Sequence, residues 1–296
     1  MKRPVMTKTE KLRACLENQE ILVLPGIYDC IGAKLVEQLG FDVVFTSGYG
    51  ISGSVLGRPD FGFLTATEML YSVGHIADSV SLPVVADIDT GYGNPLNVVR
   101  TVSDVVDTGV AGVILEDQEW PKKCGHFEGK QIIPMEEHVE KIHAAVDARK
   151  KSGLVIIGRT DARAVHGLDE AIRRGRAYFE AGADVVFIEA PQSVEELQTI
   201  AAAFPDAPLF ANMIKGGKTP MLSAAELHAM GFKIVVFPLA GLFAAVEAMS
   251  RVFEYLKENG TTSGFERTIE FSDFEQIVDV PAYRALERKY SLRSDE

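Results

Sequence analysis

The chain has 296 residues, 47% of them hydrophobic and 24% charged, with a mean hydropathy of +0.07. This is the balance of a folded globular protein and excludes disorder and fibrous repeats. Thirty Lys and Arg stand against 42 Asp and Glu, a net charge of −12; no Lys/Arg run exceeds three, so nucleic-acid backbones and anionic membrane surfaces are excluded as natural partners.

The opening segment, MKRPVMTKTEKLRACLENQE, lacks the apolar core of a signal peptide. The longest apolar stretch, Ile234 to Val246, is 13 residues long and broken by Pro238 and Gly241, too short to span a bilayer. Three cysteines, Cys15, Cys30 and Cys124, make neither a disulfide framework nor a zinc motif. A cytoplasmic protein is expected.

Eight short β-branched runs alternate with longer amphipathic segments: Ile21–Leu24, Val43–Thr46, Val84–Asp87, Gly112–Leu115, Leu154–Gly158, Val185–Ile188, Leu209–Ala211 and Ile234–Phe237. Near-continuous apolar runs of this length indicate strands buried on both faces, as in parallel sheets. Between them, Glu136–Ala148 and Leu168–Ala181 carry helical spacing, and Gly40-Phe41-Asp42 and Gly182-Ala183-Asp184 end helices just before strands. Eight βα units predict a (β/α)₈ TIM barrel. No GxGxxG follows the first strand, which argues against a dinucleotide-binding fold. The expected organisation is one barrel domain over residues 1–296, with residues 260–296 as a C-terminal helical arm containing a short helix around Pro281–Tyr290.

Barrel chemistry sits at the C-terminal ends of the strands. The second run ends in Thr46-Ser47-Gly48-Tyr49-Gly50, the third in Asp87-Ile88-Asp89, the fourth in Glu116-Asp117, the fifth in Arg159-Thr160-Asp161, the sixth in Glu189 and the seventh in Asn212. Asp87 and Asp89, two apart on a strand, point to the same side. With Glu116 they make an all-oxygen cluster. Such carboxylates repel unless a cation sits among them, and hard oxygen ligands favour Mg²⁺ or Mn²⁺ over zinc. Any one acid alone is as readily a helix cap; the set at consecutive strand ends is what argues for function. Arg159, the one cation closing runs three to seven, can grip a carboxylate through two hydrogen bonds, or pair with Glu189 or Asp161. Ser47-Gly48-Tyr49-Gly50 offers backbone N–H groups to an anionic oxygen, or forms a plain turn.

Pro121-Lys122-Lys123-Cys124-Gly125-His126 lies in a long loop that runs to about Pro134, a length typical of active-site lids. Lys122, Lys123 and His126 are expected to favour the Cys124 thiolate. Cys15 and Cys30 read as inert, buried cysteines.

Taken together, Ser47-Gly48-Tyr49, Gly57-Arg58-Pro59-Asp60, Asp87-Ile88-Asp89-Thr90-Gly91-Tyr92-Gly93, Glu116-Asp117-Gln118, Lys123-Cys124-Gly125-His126, Arg159-Thr160-Asp161-Ala162 and Glu189-Ala190 resemble the isocitrate lyase / phosphoenolpyruvate mutase superfamily, over about residues 10 to 290. The resemblance implies a barrel whose extra helix is exchanged between subunits of a homotetramer. It implies Mg²⁺ near Asp87, with Asp60, Asp89 and Glu116 assisting. It implies a small-molecule 2-hydroxy or 2-oxo dicarboxylate bound at one end by Ser47, Gly48, Tyr49 and Arg159. Gly125, His126 and Asn212 would take the far carboxylate, with Glu189 beside them.

In this superfamily a cysteine at the position of Cys124 marks carbon–carbon cleavage, so a lyase is implied. Methylisocitrate-cleaving members carry two arginines for a third carboxylate, where this chain has Phe243 and, more loosely aligned, Phe271. An unpaired buried carboxylate would cost several kcal/mol. Trp120-Pro121-Lys122 and Glu189-Ala190-Pro191 resemble the 2-alkylmalate lyase and oxaloacetate hydrolase branch, and the hydrolases tend to have Ser where this chain has Ala240. The implied reaction is cleavage of a substituted malate such as 2,3-dimethylmalate to pyruvate and propionate. Cys124 would be the general acid, Arg159 would join it in the catalytic set, and Tyr49 and Glu116 are candidates for the base. The alternatives are methylisocitrate cleavage, oxaloacetate hydrolysis or phosphonate chemistry, and a catalytically silent barrel.

Overall fold

The computed structural model describes residues 6–291. Contacts divide the chain into two compact units, Met1–Leu242 and Phe243–Glu296; residues 1–5 and 292–296, which fall within the expected domain and the leader reading, lie outside the described residues.

In the first unit β1 (Leu22–Ile27), β2 (Val44–Thr46), β3 (Val84–Asp87), β4 (Gly112–Glu116), β5 (Val155–Thr160), β6 (Val185–Ile188), β7 (Leu209–Asn212) and β8 (Ile234–Phe237) pair in parallel, each with the next. Strand β8 closes onto β1, with Leu22 opposite Ile234 and Leu24 opposite Val236. The expected TIM barrel is therefore present. Strand side chains alternate as a pleat requires. Leu24, Phe45, Val85, Ile114, Ile157, Phe187, Phe210 and Val236 fill the barrel. Their neighbours Val84, Ala86, Val113 and Ile156, and Val186 and Val235, pack outward against helices. Burial on both faces is why the runs read as continuously apolar.

The helices of this layer are α1 (Lys8–Glu17), α2 (Cys30–Gln38), α3 (Gly48–Ile51), α4 (Ala66–Ser79), α5 (Pro95–Asp107), α6 (Met135–Ala148), α7 (Ala162–His166), α8 (Leu168–Glu180), α9 (Val194–Ala203) and α10 (Ala224–Met230). Helix α1 stands outside the eightfold alternation. A capping box between Thr7 and Glu10 starts it. Its Leu12 joins the inner barrel cluster, and Arg13 donates to Gly153 O (2.6 Å) and Leu154 O (3.3 Å) at the entrance to β5. It thus closes the end of the barrel opposite the site. Cys15 and Cys30 are half-buried rather than fully buried, because each sits on a helix flank.

Helix α11 (Ala240–Asn259) runs into the second unit, which also holds α12 (Phe271–Ile277) and α13 (Val280–Tyr290). The sequence pattern gives α13 but passes over α12. Arg284 Nη2 on α13 donates to Glu275 Oε1 on α12 at 3.2 Å. None of these three helices fully buries a side chain.

Candidate active site

The C-terminal ends of the strands gather the acids into two groups. In the first, Asp87 closes β3 and accepts the Asp89 N–H at 3.1 Å. Asp89 follows in a left-handed backbone conformation (φ 51°) that non-glycine residues rarely adopt, the kind of strain that concentrates at functional sites. The loop after β4, residues 117–134, brings Lys122 into this group. Its ammonium lies 2.7 Å from Asp60 Oδ1 and 2.7 Å from Asp89 Oδ1, and it is 4% exposed.

The second group surrounds Arg159 on β5. Its guanidinium grips Asp161 through Nε to Oδ2 (2.9 Å) and Nη2 to Oδ1 (3.1 Å). The same Nη2 lies 3.2 Å from Glu116 Oε2 and 3.3 Å from Glu189 Oε2. Lys130 Nζ donates to Asp161 Oδ1 at 2.6 Å. Asn212 Nδ2 donates to Glu189 Oε2 at 3.3 Å. His126 Nδ1 accepts the Lys218 N–H (3.0 Å), which leaves the ring proton on Nε2, 3.3 Å from Glu189 Oε1. Behind both groups, Asp117 accepts from Thr160 Oγ1 (2.7 Å), the Asp161 N–H (2.9 Å), Arg174 Nη1 (3.0 Å) and Tyr178 OH (2.7 Å).

The electrostatics differ between the groups. Burial pushes the Asp87, Asp89 and Glu116 carboxyls above the usual range; neighbouring acids add to this, and Lys122 and Arg159 offset it in part. Burial alone would lower Lys122, but Asp89, Asp60, Glu116 and Asp87 more than reverse it, and the ammonium stays charged. In the second group burial is outweighed: Arg159 and Lys130 hold Asp161 well below the usual carboxylate range, and Arg159 and His126 bring Glu189 to about 2.

Both groups border one small cavity of about 50 Å³. Ser47, Tyr49, Asp60, Asp87, Lys122, Lys123, Cys124, Gly125, His126, Arg159, Glu189 and Asn212 supply its polar lining, and Phe45, Ile114, Phe187, Phe210, Val236 and Leu239 its apolar part. Burial raises the Cys124 thiol to about 11, the His126 N–H offsetting it only partly. The expected thiolate is thus corrected: burial outweighs the pull of Lys122, which is itself drawn to Asp60 and Asp89, and Lys123 donates instead to Gly129 O (2.7 Å). The Ser47–Gly50 stretch is likewise not a plain turn. Ser47 caps α3, its hydroxyl accepting the Gly50 N–H at 3.2 Å.

Two glycines are required by close approach. A Cβ on Gly48 would sit 2.9 Å from Asp87 Oδ2. One on Gly125 would fall 2.5 Å from Arg159 Nη2 and 2.7 Å from Glu189 Cγ.

The first group fits a hard divalent cation by its donors. All are carboxylate oxygens, and Glu116, which stands between the two groups, has its Oε1 buried with no hydrogen-bond partner. Among the described residues no three acids, histidines or cysteines already converge on one point. Mg²⁺ does not need them to, since it typically keeps several waters and takes one or two carboxylates plus substrate oxygens.

Comparison with known proteins agrees with this geometry. The family model described as phosphoenolpyruvate phosphomutase matches residues 12–257. The chain belongs to the phosphoenolpyruvate phosphomutase family. It is 45% identical to a 2,3-dimethylmalate lyase of Eubacterium barkeri, over 97% of this chain and 99% of that one. It is also 45% identical to a chloroplastic carboxyvinyl-carboxyphosphonate phosphorylmutase of Arabidopsis thaliana, over 93% of this chain and 83% of that one. Among solved structures, a 2,3-dimethylmalate lyase of the PEP mutase/isocitrate lyase superfamily superposes with a TM-score of 0.93 at 37% identity, covering 98% of both chains. This member of the family is accordingly an enzyme, with its lyase relatives matching it nearly end to end.

Every site residue named from the sequence lies at this one barrel mouth. What the sequence reading missed are two buried lysines. The sequence pattern marks Lys122 only as a neighbour of the thiol and does not mark Lys130. Both come from an irregular loop, which carries no periodicity to mark a side chain as inward-facing. Arg159 makes the ion pairs foreseen with Glu189 and Asp161, and a third with Glu116.

Proposed function

We propose that the protein is a divalent-metal-dependent carbon–carbon lyase. Its substrate is a 2-hydroxy dicarboxylate of the substituted-malate class, such as 2,3-dimethylmalate, split into pyruvate and a monocarboxylate such as propionate. The observation that carries this reading is a protonated thiol, Cys124, bordering the same small cavity as an unbalanced carboxylate group and an arginine. A thiol that keeps its proton at neutral pH is suited to a general acid.

Mg²⁺ or Mn²⁺, held by Asp87 with Asp60, Asp89 and Glu116, would polarise the substrate's hydroxyl oxygen. Arg159 and the α3 N–H groups at Gly48 and Tyr49 orient the C1 carboxylate. Glu116, with one oxygen unpartnered behind the Arg159 guanidinium, accepts the hydroxyl proton; Tyr49, which lines the cavity, is the other candidate. The C2–C3 bond breaks, and its electron pair passes to the leaving fragment as a carboxylate enediolate. Asn212, His126 and the Gly125 N–H bind that fragment, and Cys124 protonates its carbon.

Of the cavity's cations, Lys122 is engaged by Asp60 and Asp89 and Lys123 by Gly129 O. None is free for a third carboxylate, and the apolar wall suits alkyl groups. This favours a dialkylmalate over methylisocitrate. A homotetramer that exchanges C-terminal helices is supported by the apolar side chains exposed on them, Phe253 and Phe271 among them. No helix among the described residues is long and apolar enough to cross a membrane.

The test is a substrate panel with Mg²⁺ present, scored for pyruvate: 2,3-dimethylmalate, methylisocitrate, oxaloacetate and phosphonopyruvate. 2,3-Dimethylmalate is expected to give the highest kcat/KM. Faster release of oxalate and acetate from oxaloacetate would overturn the reading.

A further inference from the structure

Lys130 lies at the far limb of the loop that carries Cys124, yet it is 7% exposed and its ammonium points back beneath the thiol segment. Its Nζ donates to two acceptors. One is the carbonyl of Gly125, the residue between Cys124 and His126. The other is Asp161 Oδ1, at 2.6 Å. Asp161 Oδ1 also takes Arg159 Nη2 at 3.1 Å. One buried ammonium therefore joins the loop's active segment to the carboxylate that aims the arginine.

We propose that Lys130 is a positioning residue that holds the thiol loop on the Arg159–Asp161 pair, so that Cys124 and the guanidinium share one fixed frame. The catalytic meaning of that frame rests on the lyase reading above; the linkage itself does not.

The other ties of this loop are of different kinds. Gln118 Nε2 donates to Lys123 O (2.8 Å) and Gln118 Oε1 accepts the Lys123 N–H (3.0 Å), both within the loop. The Cys124 N–H donates to Asp60 O (3.1 Å) and the Lys122 ammonium binds Asp60 and Asp89, anchoring the loop to the first acidic group and not to the arginine. The exposed Glu128 pairs with Lys218, an ion pair open to solvent that contributes little. Lys130 alone among these makes charge-assisted bonds to both the active segment and the arginine's partner. Bonds to charged groups are about twice as strong as neutral ones and costly to break when buried. Asp161 follows β5 directly and its N–H is held by Asp117 Oδ1 (2.9 Å), so the ammonium ties the loop to the barrel and not to a second loop.

The test is iodoacetamide labelling of Cys124 in the intact protein, followed by mass spectrometry, with thermal melts alongside. Lys130→Met is expected to raise the labelling rate about tenfold or more while retaining a cooperative melt. Lys130→Gln, which keeps a donor for the Gly125 carbonyl without the charge facing Asp161, is expected to fall between Met and wild type. Glu128→Gln, on the same loop, should stay within about twofold of wild type. With 2,3-dimethylmalate, Lys130→Met should raise KM and lower kcat together, since both the grip of Arg159 and the reach of Cys124 lose their frame.

Labelling of folded Lys130→Met at the wild-type rate overturns the proposal. So does failure of both Lys130 variants to fold, which would make the lysine a stability element. The labelling needs no substrate. A wild-type protein inert toward substituted malates would remove the lyase reading and leave the Lys130 result standing.

Discussion

On the β3 side of the barrel mouth, Asp60 and Asp89 share one ammonium, Lys122, and Asp87 lies beside them, accepting the Asp89 N–H. On the β5 side, Asp161 and Glu189 are met by Arg159, Lys130 and the His126 ring. The acids of the first side that shift, Asp87 and Asp89, are pushed up; those of the second are pulled down. Glu116 stands between, bonded to Arg159 and still raised. The second side is an electrostatically finished piece of structure that fixes an arginine. The first is short of positive charge, and that deficit is what a divalent ion and its bound acid would fill. Burial disfavours the charged form on both sides, and the second side is if anything the deeper, so the contrast comes from the cations within reach.

The sharpest way to probe the finished side's partner is to remove the proton donor that both sides flank. Cys124→Ser is expected to lower kcat for 2,3-dimethylmalate about 10²–10⁴-fold, the range of a general acid's contribution, with no change in melting behaviour. Near-full activity would exclude the thiol as the acid. Next, Asp161→Asn should cost about 3–5 kcal/mol of stability, because it leaves Arg159 and Lys130 buried beside a neutral amide. Denaturant titration measures this, and a loss near zero would show that the β5 side is not internally balanced.

The smallest effect is the most diagnostic of the contrast. Mg²⁺ should stabilise the protein by about 1–3 kcal/mol, roughly 2–6 °C in Tm. A carboxyl whose folded pKa is raised contributes stability below its unfolded pKa and loses it as pH rises through the folded value. The metal-free β3 side therefore carries an electrostatic cost at pH 8 that is smaller at pH 6, where protons compete with the ion. The Mg²⁺-induced shift should be larger at pH 8 than at pH 6, and an equal shift at both would place the ion elsewhere.

Much of this site is legible in the amino-acid sequence because strands advertise their ends. Asp87, Glu116, Arg159, Glu189 and Asn212 each close an apolar run or follow it directly, and the barrel rule converts that position into a place at the mouth. The thiol segment is legible as composition but not as chemistry. Its flanking lysines suggest a thiolate, whereas Lys122 is taken up by two aspartates more than 30 residues away along the chain and burial leaves Cys124 protonated. Helix α12 escapes the reading because seven residues give too few turns for a periodic signal, and α1 because it belongs to no βα unit.

The barrel, written in eight two-sided apolar runs, and the polar residues its strands present at one end can both be read from the chain, since both follow from local period and register. The partners of those residues were decided by the tertiary structure alone. Whether an acid is raised or lowered depends on how burial and neighbouring acids balance against the cations around it, and those neighbours are set by strands and a loop brought together from across the chain.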